Sequence, residues 1–205
     1  MAKNKMSQQI SPPLSLYIHI PWCVRKCPYC DFNSHEKKAH MPEKPYIQQL
    51  IHDFESSKHQ THDRPIQSIF IGGGTPSLFH PASIKALLDH ITQYHPCSDT
   101  IEITLEANPG TTEYYDFNAL RDAGVNRLSL GVQSFNPQLL KKLGRIHSPE
   151  EAHTAIQKAQ LAGFDNITIV ASNTQGEVTI PAPAALPIFA LGLAGLAFVR
   201  RRQRH

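Results

Sequence analysis

The sequence predicts an α/β protein built on a parallel β-sheet. Short segments rich in β-branched and aromatic residues alternate with longer segments whose apolar residues recur every three or four positions. Strand and helix follow each other in turn and a strand comes last, which favours right-handed crossovers between parallel strands. Hydrophobic residues make up 40% of the chain and charged residues 18%, as is typical of globular domains. Periodicity alone fits either an open doubly wound sheet or part of a barrel.

Five segments carry the strand pattern. They are Leu14–Ile20, Ile66–Ile71, Thr100–Ala107, Asn126–Gln133 and Asn166–Val170. The first alternates along LSLYIHI, and the second runs directly into three glycines. These five segments predict five parallel strands.

Five segments carry the helical pattern. They are Pro42–Lys58, Pro81–Tyr94, Thr112–Ala123, Pro137–Leu143 and Ser148–Ala162. Three of them are followed by Gly124, Gly144 and Gly163, which stand where glycine commonly ends a helix. The last two helices together form the fourth crossover.

Composition divides the chain into four parts. Residues 1–13 are polar and are expected to be flexible, and residues 14–170 form the α/β core. Residues 171–179 are small and polar, which predicts a linker. Residues 180–205 form a hydrophobic tail with an arginine-rich end.

The tail contains twenty consecutive uncharged residues, Ile180–Val199, followed by Arg200–Arg202. This pattern predicts an appended hydrophobic helix that associates with a membrane and keeps its arginines in the cytoplasm. A helix buried against the core is the alternative. The N-terminus shows no secretory signal, so the core is expected to be cytoplasmic.

The distribution of charge argues against nucleic acid as a partner. The net charge of +3 comes from 20 basic and 17 acidic side chains. Residues 175–205 contain four arginines against Glu177 alone, so the rest of the chain is balanced. A balanced core offers no electrostatic attraction to a phosphate backbone.

Three of the four cysteines, Cys23, Cys27 and Cys30, fall within eight residues. Such a cluster predicts a metal site in a reducing compartment rather than a disulfide framework. Three thiolates on one loop can hold three irons of a 4Fe–4S cluster and leave the fourth iron open to a small molecule. A structural zinc ion with His19 or His35 as its fourth ligand is the alternative.

The segment YIHIPWCVRKCPYCDFNSH, which begins at Tyr17, resembles the radical S-adenosylmethionine (SAM) enzymes. The resemblance implies an incomplete (β/α)6-type barrel in which the cysteine loop follows the first strand and holds a 4Fe–4S cluster. It implies that SAM binds the open iron and that Tyr29 lies against the adenine. It also implies cofactor contacts by Tyr17 and Phe32.

Further motifs of this family follow at the ends of the next three predicted strands. They are IFIGGGTPSLF, TLEANPG and GVQSFN, with LGRIH shortly afterwards. The resemblance implies that SAM is bound by Gly73, Gly74, Thr75, Glu106, Gln133 and Arg145. In a β/α barrel, the carboxyl ends of the strands form the face on which sites are built.

Within this superfamily, the motifs resemble the oxygen-independent coproporphyrinogen III oxidases, and among these the HemW heme chaperones. The oxidases carry a further cysteine two residues after the third, where this chain has Phe32. The resemblance therefore implies heme and a heme-accepting protein as partners beside SAM. A radical enzyme acting on a porphyrinogen is the alternative function.

Two regions depart from the family pattern. On the fifth strand, relatives carry an aspartate that touches SAM, and this chain has Val170 at that position. The sixth strand and the C-terminal domain of the relatives have no counterpart in this sequence. We therefore expect a truncated core that is inactive as an enzyme. The tail resembles PEP-CTERM sorting signals, with Pro181-Ala182-Pro183 in place of Pro-Glu-Pro. A non-functional or zinc-binding, membrane-tethered fragment is the third functional hypothesis.

Overall fold

The computed structural model describes residues 12–37, 41–111 and 115–171. Five parallel strands form one sheet, in the spatial order β1 (Leu14–Ile20), β4 (Ile66–Gly73), β5 (Cys97–Ala107), β6 (Arg127–Gln133) and β7 (Ile167–Ala171). Two short strands, β2 (Trp22–Cys23) and β3 (His35–Glu36), pair in parallel beside it. The predicted α/β class and five-stranded parallel sheet are therefore confirmed, whereas β2 and β3 were not predicted.

The helices follow the strands as the sequence predicts, with one difference. They are α1 (Glu43–Ser57), α2 (Pro81–Tyr94), α3 (Phe117–Asp122), α4 (Pro137–Lys142) and α5 (Pro149–Leu161). The third helix begins later than predicted because Asp116 caps it: the Asp116 side chain accepts a hydrogen bond from the Asn118 N–H at 3.2 Å. A capping residue has non-helical backbone angles, so the helix cannot extend through Asp116 toward Thr112.

Several predictions concern parts of the chain outside the described residues. These are the flexibility of residues 1–11, most of the linker 171–179, and the hydrophobic tail 180–205. Within the described ranges, the helices are all too short or too polar to cross a membrane.

The two faces of the five-stranded sheet differ in character. On one face Ile69, Ile71 and Leu105 are fully buried, and they belong to a core that includes Ile84 of α2 and Ile156 of α5. Each side chain of this size stabilises the fold by about 1.5–3 kcal/mol when it is fully buried. The helices therefore pack against this face and hold the strands in register.

The opposite face carries polar and aromatic side chains. Tyr17 on β1 is 54% exposed, and its ring stacks on Phe70 of β4 with the centroids 6.2 Å apart. Arg127 on β6 donates hydrogen bonds to Thr104 on β5 (3.2 Å) and Thr168 on β7 (2.7 Å). Polar contacts between neighbouring strands therefore replace an apolar core on this face.

The start of α5 is tied to the end of β6. Ser148 and Glu151 form a capping box, in which the Ser148 Oγ accepts from the Glu151 N–H at 3.2 Å. The buried His147 precedes the helix, and its Nε2–H donates to the Val132 carbonyl at 3.0 Å. Burial, with the positive charge of Arg145 nearby, lowers the pKa of His147 to about 4. This histidine is therefore neutral in the folded protein at neutral pH.

We predict that His147 makes the stability of the fold depend on pH. Because its folded pKa of about 4 lies below the ordinary 6.5, the unfolded chain binds a proton first as the pH falls. The contribution of His147 is complete above pH 6.5 and is lost as the pH falls toward 4. The free energy of unfolding drops by up to about 3 kcal/mol over this range. Urea unfolding of the full chain between pH 4 and pH 7 measures this loss.

The matched variant is His147→Gln, whose side-chain amide keeps a donor for the Val132 carbonyl but does not titrate. Its stability should fall less than that of the wild type between pH 6.5 and pH 4. Equal pH slopes in the two proteins would show that His147 does not carry the effect.

Candidate cofactor-binding site

The cysteine loop, residues 23–34, leaves the end of β1 from a fixed base. The Lys37 N–H donates to the Cys23 carbonyl at 2.8 Å, and the His35 N–H donates to the Pro21 carbonyl at 2.7 Å. The Trp22 ring packs edge-on against a tyrosine of α1, with the ring centroids 4.7 Å apart. Backbone pairing and an aromatic contact therefore anchor the loop on both sides.

The three cysteines of the loop are free thiols that differ in burial. Cys23 is 9% exposed at the base of the loop, and Cys27 and Cys30 are partly exposed. The Sγ of Cys30 lies 3.6 Å from the Oγ of Ser34. Burial is the main cause that raises the pKa of Cys23. A metal centre bound here must therefore displace the Cys23 proton, as thiolate ligation always requires.

A histidine on β1 holds the far end of the same loop. The His19 Nε2–H donates to the Asn33 carbonyl at 2.8 Å, and its Nδ1 lies within hydrogen-bond distance of the Tyr17 hydroxyl at 3.0 Å. Asn33 follows Cys30 by three residues. Strand β1 therefore fixes both the start and the exit of the cysteine loop.

The glycines at the end of β4 allow a close approach to β1 and the cysteine loop. Gly73 has a φ of +113°, and a Cβ at this position would lie 2.5 Å from the His19 ring. A Cβ on Gly74 would lie 2.6 Å from the Trp22 carbonyl oxygen. The next residue, Thr75, is buried, and its N–H donates to the same carbonyl at 2.7 Å. Only glycine permits this approach, which leaves the β4 backbone lining the site.

Glu106 lies near the end of β5 and faces this glycine segment. Its Oε2 accepts a hydrogen bond from the Gly73 N–H at 3.0 Å. Burial raises the pKa of Glu106, and the hydrogen bond from Gly73 and the nearby His19 act in the opposite direction. A cation bound beside this carboxylate would favour its charged form.

Arg145 approaches the site from beyond β6. Its Nη2 donates to the Oδ1 of Asn108, just after β5, and to the carbonyl of Gly131 on β6. Its Nη1 donates to the Sγ of Cys27 at 3.4 Å. Its Nε is buried and has no hydrogen-bond partner among the described residues. One guanidinium therefore connects two strand ends to the cysteine loop.

The ends of β6 and β7 complete the site. Gln133 ends β6 with a φ of +67°, a left-handed conformation that costs a residue other than glycine about 1–3 kcal/mol. Val170 on β7 is 39% exposed. Strain of this kind is concentrated at binding sites, which supports a role for the Gln133 backbone or side chain here.

These elements enclose a cavity of about 270 Å³. Its lining includes Cys23, Cys27, Tyr29, Cys30, Phe32, Gly73, Gly74, Thr75, Glu106, Gln133, Arg145 and Val170. Of the predicted site residues, Tyr17 alone does not line it, and lines a second cavity of about 410 Å³ beside β1 and α1. The tertiary structure therefore gathers residues from six separate segments around one cavity.

The described residues show how the thiols and nearby histidines are arranged for a metal centre. Within the described ranges, no three His, Cys, Asp or Glu side chains converge closely enough to hold one metal ion. In a 4Fe–4S cluster each thiolate binds a different iron, so the thiols need not meet at one point. Both ring nitrogens of His19 are hydrogen-bonded, which leaves it no free nitrogen as a zinc ligand.

Sequence analysis did not predict the roles that two polar residues have in this site. His19 was considered only as a zinc ligand, and Asn108 was not considered. Asn108 donates through Nδ2 to the Thr75 hydroxyl at 3.0 Å and accepts from Arg145 through Oδ1. The position of Asn108 within the EANPG motif was the one sequence signal that could have identified it. Its two partners, Thr75 and Arg145, are distant in sequence, so the sequence did not show these contacts.

A family model matches most of the chain. Residues 17–179 match the model described as the Radical SAM superfamily. This range contains the three clustered cysteines and every other predicted site residue. The match therefore covers the whole cavity described above.

The chain is also similar to curated proteins named heme chaperone HemW. It is 51% identical over 162 residues to the protein of Haemophilus influenzae and 50% identical over 158 residues to that of Escherichia coli. Each match covers 77% of this chain and 42% of the relative. The chain thus spans about two fifths of the length of these relatives.

Solved structures share the fold. The coproporphyrinogen III oxidase HemN of Escherichia coli, described as a radical SAM enzyme, matches with a TM-score of 0.70 and 29% identity over 78% of this chain and 37% of its own. The cobalamin-dependent SAM radical enzyme OxsB, with aqua-cobalamin and SAM bound, matches with a TM-score of 0.52 and 16% identity. This match covers 77% of this chain and 23% of OxsB, and it shows the fold alone. Because the family model covers most of the chain, this protein belongs to the radical SAM superfamily.

Proposed function

We propose that this chain holds a 4Fe–4S cluster through Cys23, Cys27 and Cys30, binds SAM in the adjoining cavity, and is a HemW-like protein that takes part in heme transfer. One observation carries the proposal: the three thiols open onto the same cavity as the ends of β4, β5 and β6. A cluster held by three thiolates keeps one iron open, so a ligand in this cavity would meet it directly.

The residues around the cavity have complementary properties for SAM, which carries a sulfonium, an ammonium and a carboxylate group. Glu106 supplies a carboxylate for the cationic part, and Arg145 supplies a guanidinium for the carboxylate. The ring of Tyr29 offers an apolar surface for the adenine. When bound, the cluster supplies the electron for reductive chemistry at SAM, and these side chains bind and orient the cofactor.

Heme handling is proposed from sequence similarity to the HemW proteins, which are named heme chaperones. The position two residues after Cys30 is Phe32, where the resemblance to the oxidases would require cysteine. This difference favours a heme chaperone over a radical enzyme acting on a porphyrinogen. A heme-accepting protein is the corresponding partner.

For the tail, we propose membrane association through residues 180–199. The support is the run of twenty uncharged residues before the arginines. Carbonate washing of membranes from cells that produce either the full chain or a chain ending at Ser172 tests it. The full chain should stay with the membrane and the shorter chain should not, whereas equal extraction of both would rule out the tail as a membrane element.

We predict that the full chain binds about four irons after anaerobic reconstitution, with broad absorption near 400 nm, as expected of a 4Fe–4S centre. Replacing Cys23, Cys27 or Cys30 by alanine should abolish this absorption, because each thiolate holds one iron. Iron and zinc analysis, absorption spectra and a heme titration of the same preparation are the measurements.

The matched control is Cys97→Ala, which removes the fourth cysteine, at the start of β5, and should keep the cluster. A stable cluster in Cys27→Ala would contradict the proposed ligands. Zinc in place of iron in protein purified without oxygen would support the alternative of a zinc-binding fragment.

We predict that Val170→Asp strengthens SAM binding. Val170 lines the cavity at the position where the family resemblance implies an aspartate, so the substitution would add a hydrogen-bond acceptor beside a charged ligand. Such a bond is worth about 1.5–3 kcal/mol, or roughly ten- to a hundredfold in affinity. Calorimetric titration of the reconstituted full chain with SAM measures it.

The matched control is Ala171→Asp, which adds the same charge one residue later, where the side chain points to the other face of the sheet. Its affinity for SAM should equal that of the wild type. If Val170→Asp binds SAM no more tightly than Ala171→Asp, an acceptor at position 170 does not contribute to SAM binding.

A further inference from the structure

Arg145 makes a contact that its expected role in SAM binding does not explain. The resemblance to radical SAM proteins implies an arginine beside the carboxylate of SAM. In the structure, its Nη1 donates instead to the Sγ of Cys27 at 3.4 Å. This is within the range of a hydrogen bond to sulfur, and a thiolate would strengthen it because the donor is charged.

The guanidinium is held in this orientation by its other contacts. Its Nη2 donates to the side chain of Asn108 and the carbonyl of Gly131, both fixed to strands of the sheet. Arginine presents its donors in a rigid plane, so fixing Nη2 also fixes Nη1. The direction of Nη1 toward Cys27 therefore follows from anchors outside the cysteine loop.

The backbone beside Arg145 also touches the cysteine loop. The preceding Gly144 has a φ of +66°, and a Cβ there would lie 2.8 Å from the Cδ of Pro28, the residue after Cys27. This close approach places the segment that contains Gly144 and Arg145 against the cysteine loop beside Cys27. Cys23 and Cys30 have different neighbours: Cys30 contacts Ser34, and Cys23 interacts with Thr75 and Ser34.

Tyr29 extends the same arrangement. Its hydroxyl interacts with both Cys27 and Arg145, and burial is the main cause that raises its pKa. Tyr29 therefore lies beside both members of the Arg145–Cys27 contact.

We propose that Arg145 sets the reduction potential of the cluster by donating a hydrogen bond to the Cys27 thiolate. Reduction adds one electron, and hydrogen bonds and positive charge at a ligand sulfur stabilise the more negative state. Arg145 is thus a positioning residue for Cys27 and raises the potential. The proposal rests on the proposed function, because it requires a cluster on these thiols.

The proposal differs from a SAM-binding role in one testable respect. An arginine that contacts only the carboxylate of SAM acts on a SAM-free cluster through its charge alone, so Arg145→Lys, which keeps the charge, would then keep the wild-type potential. A donor to the Cys27 sulfur acts whether or not SAM is bound. The decisive measurement is therefore the potential of the SAM-free cluster.

The experiment is an anaerobic potentiometric titration of the reconstituted full chain without SAM, with dithionite as the electron donor and electron paramagnetic resonance as the readout. In Arg145→Met the equilibrium constant for one-electron reduction should fall at least about tenfold, which corresponds to a potential about 59 mV lower. Arg145→Lys keeps the charge but not the planar pair of donors, so it should show a smaller shift in the same direction.

The matched control is Lys142→Met, which removes one positive charge from an exposed position near the end of α4 and should keep the wild-type potential. A wild-type potential in Arg145→Met at full iron content would overturn the proposal. If Arg145→Met assembles no cluster, a wild-type potential in Arg145→Lys would overturn it equally. Absence of a cluster in the wild-type chain would instead refute the proposed function itself.

Discussion

Parallel pairing of the strands is the constraint on which the site depends. β1, β4, β5, β6 and β7 run in one direction, so their carboxyl ends and the loops that follow lie at one edge of the sheet. The apolar face beneath the helices fixes the register, because a slip of one residue would expose residues such as Ile71 and Leu105. Register in turn places Glu106, Gly73 and the cysteine loop next to one another. Packing on one face of the sheet therefore determines the geometry at its edge.

The polar groups at this edge hold one another in place before any ligand binds. The Gly73 N–H donates a hydrogen bond to Glu106, and the His19 ring donates one to the Asn33 carbonyl. Arg145 donates one to the Gly131 carbonyl. Buried polar groups require such partners, because leaving one unpaired costs roughly 1–3 kcal/mol. One exception is the Nε of Arg145, which is buried without a partner among the described residues, and Arg145 is one of the residues that line the cavity. The edge is therefore preorganised by hydrogen bonds among its own residues, and the positive charge of Arg145 suits it to an anionic group.

The cysteine loop shows how a site for a reactive metal centre can be rigid and yet open. Its base is paired through β2 and β3, its exit is held by His19, and one of its cysteines is held by Arg145. Its outer residues, including Tyr29 and Phe32, remain 47% and 61% exposed. Fixed backbone keeps the thiols in place, while exposed side chains leave the open side of the site accessible.

The sequence by itself determined the order and type of the elements, because apolar periodicity and turn residues act over a few positions. It also determined the cysteine spacing and the residues at the strand ends, which the family motifs contain. The late start of α3 was missed because the Asp116 cap competes locally with the helical pattern. Only the tertiary structure decided that Tyr17 stacks on Phe70 away from the cavity, that Gln133 adopts a left-handed backbone, and that Arg145 reaches Cys27 across 118 positions. Contacts between residues so far apart depend on strand register and helix packing, and no local pattern in the sequence encodes them.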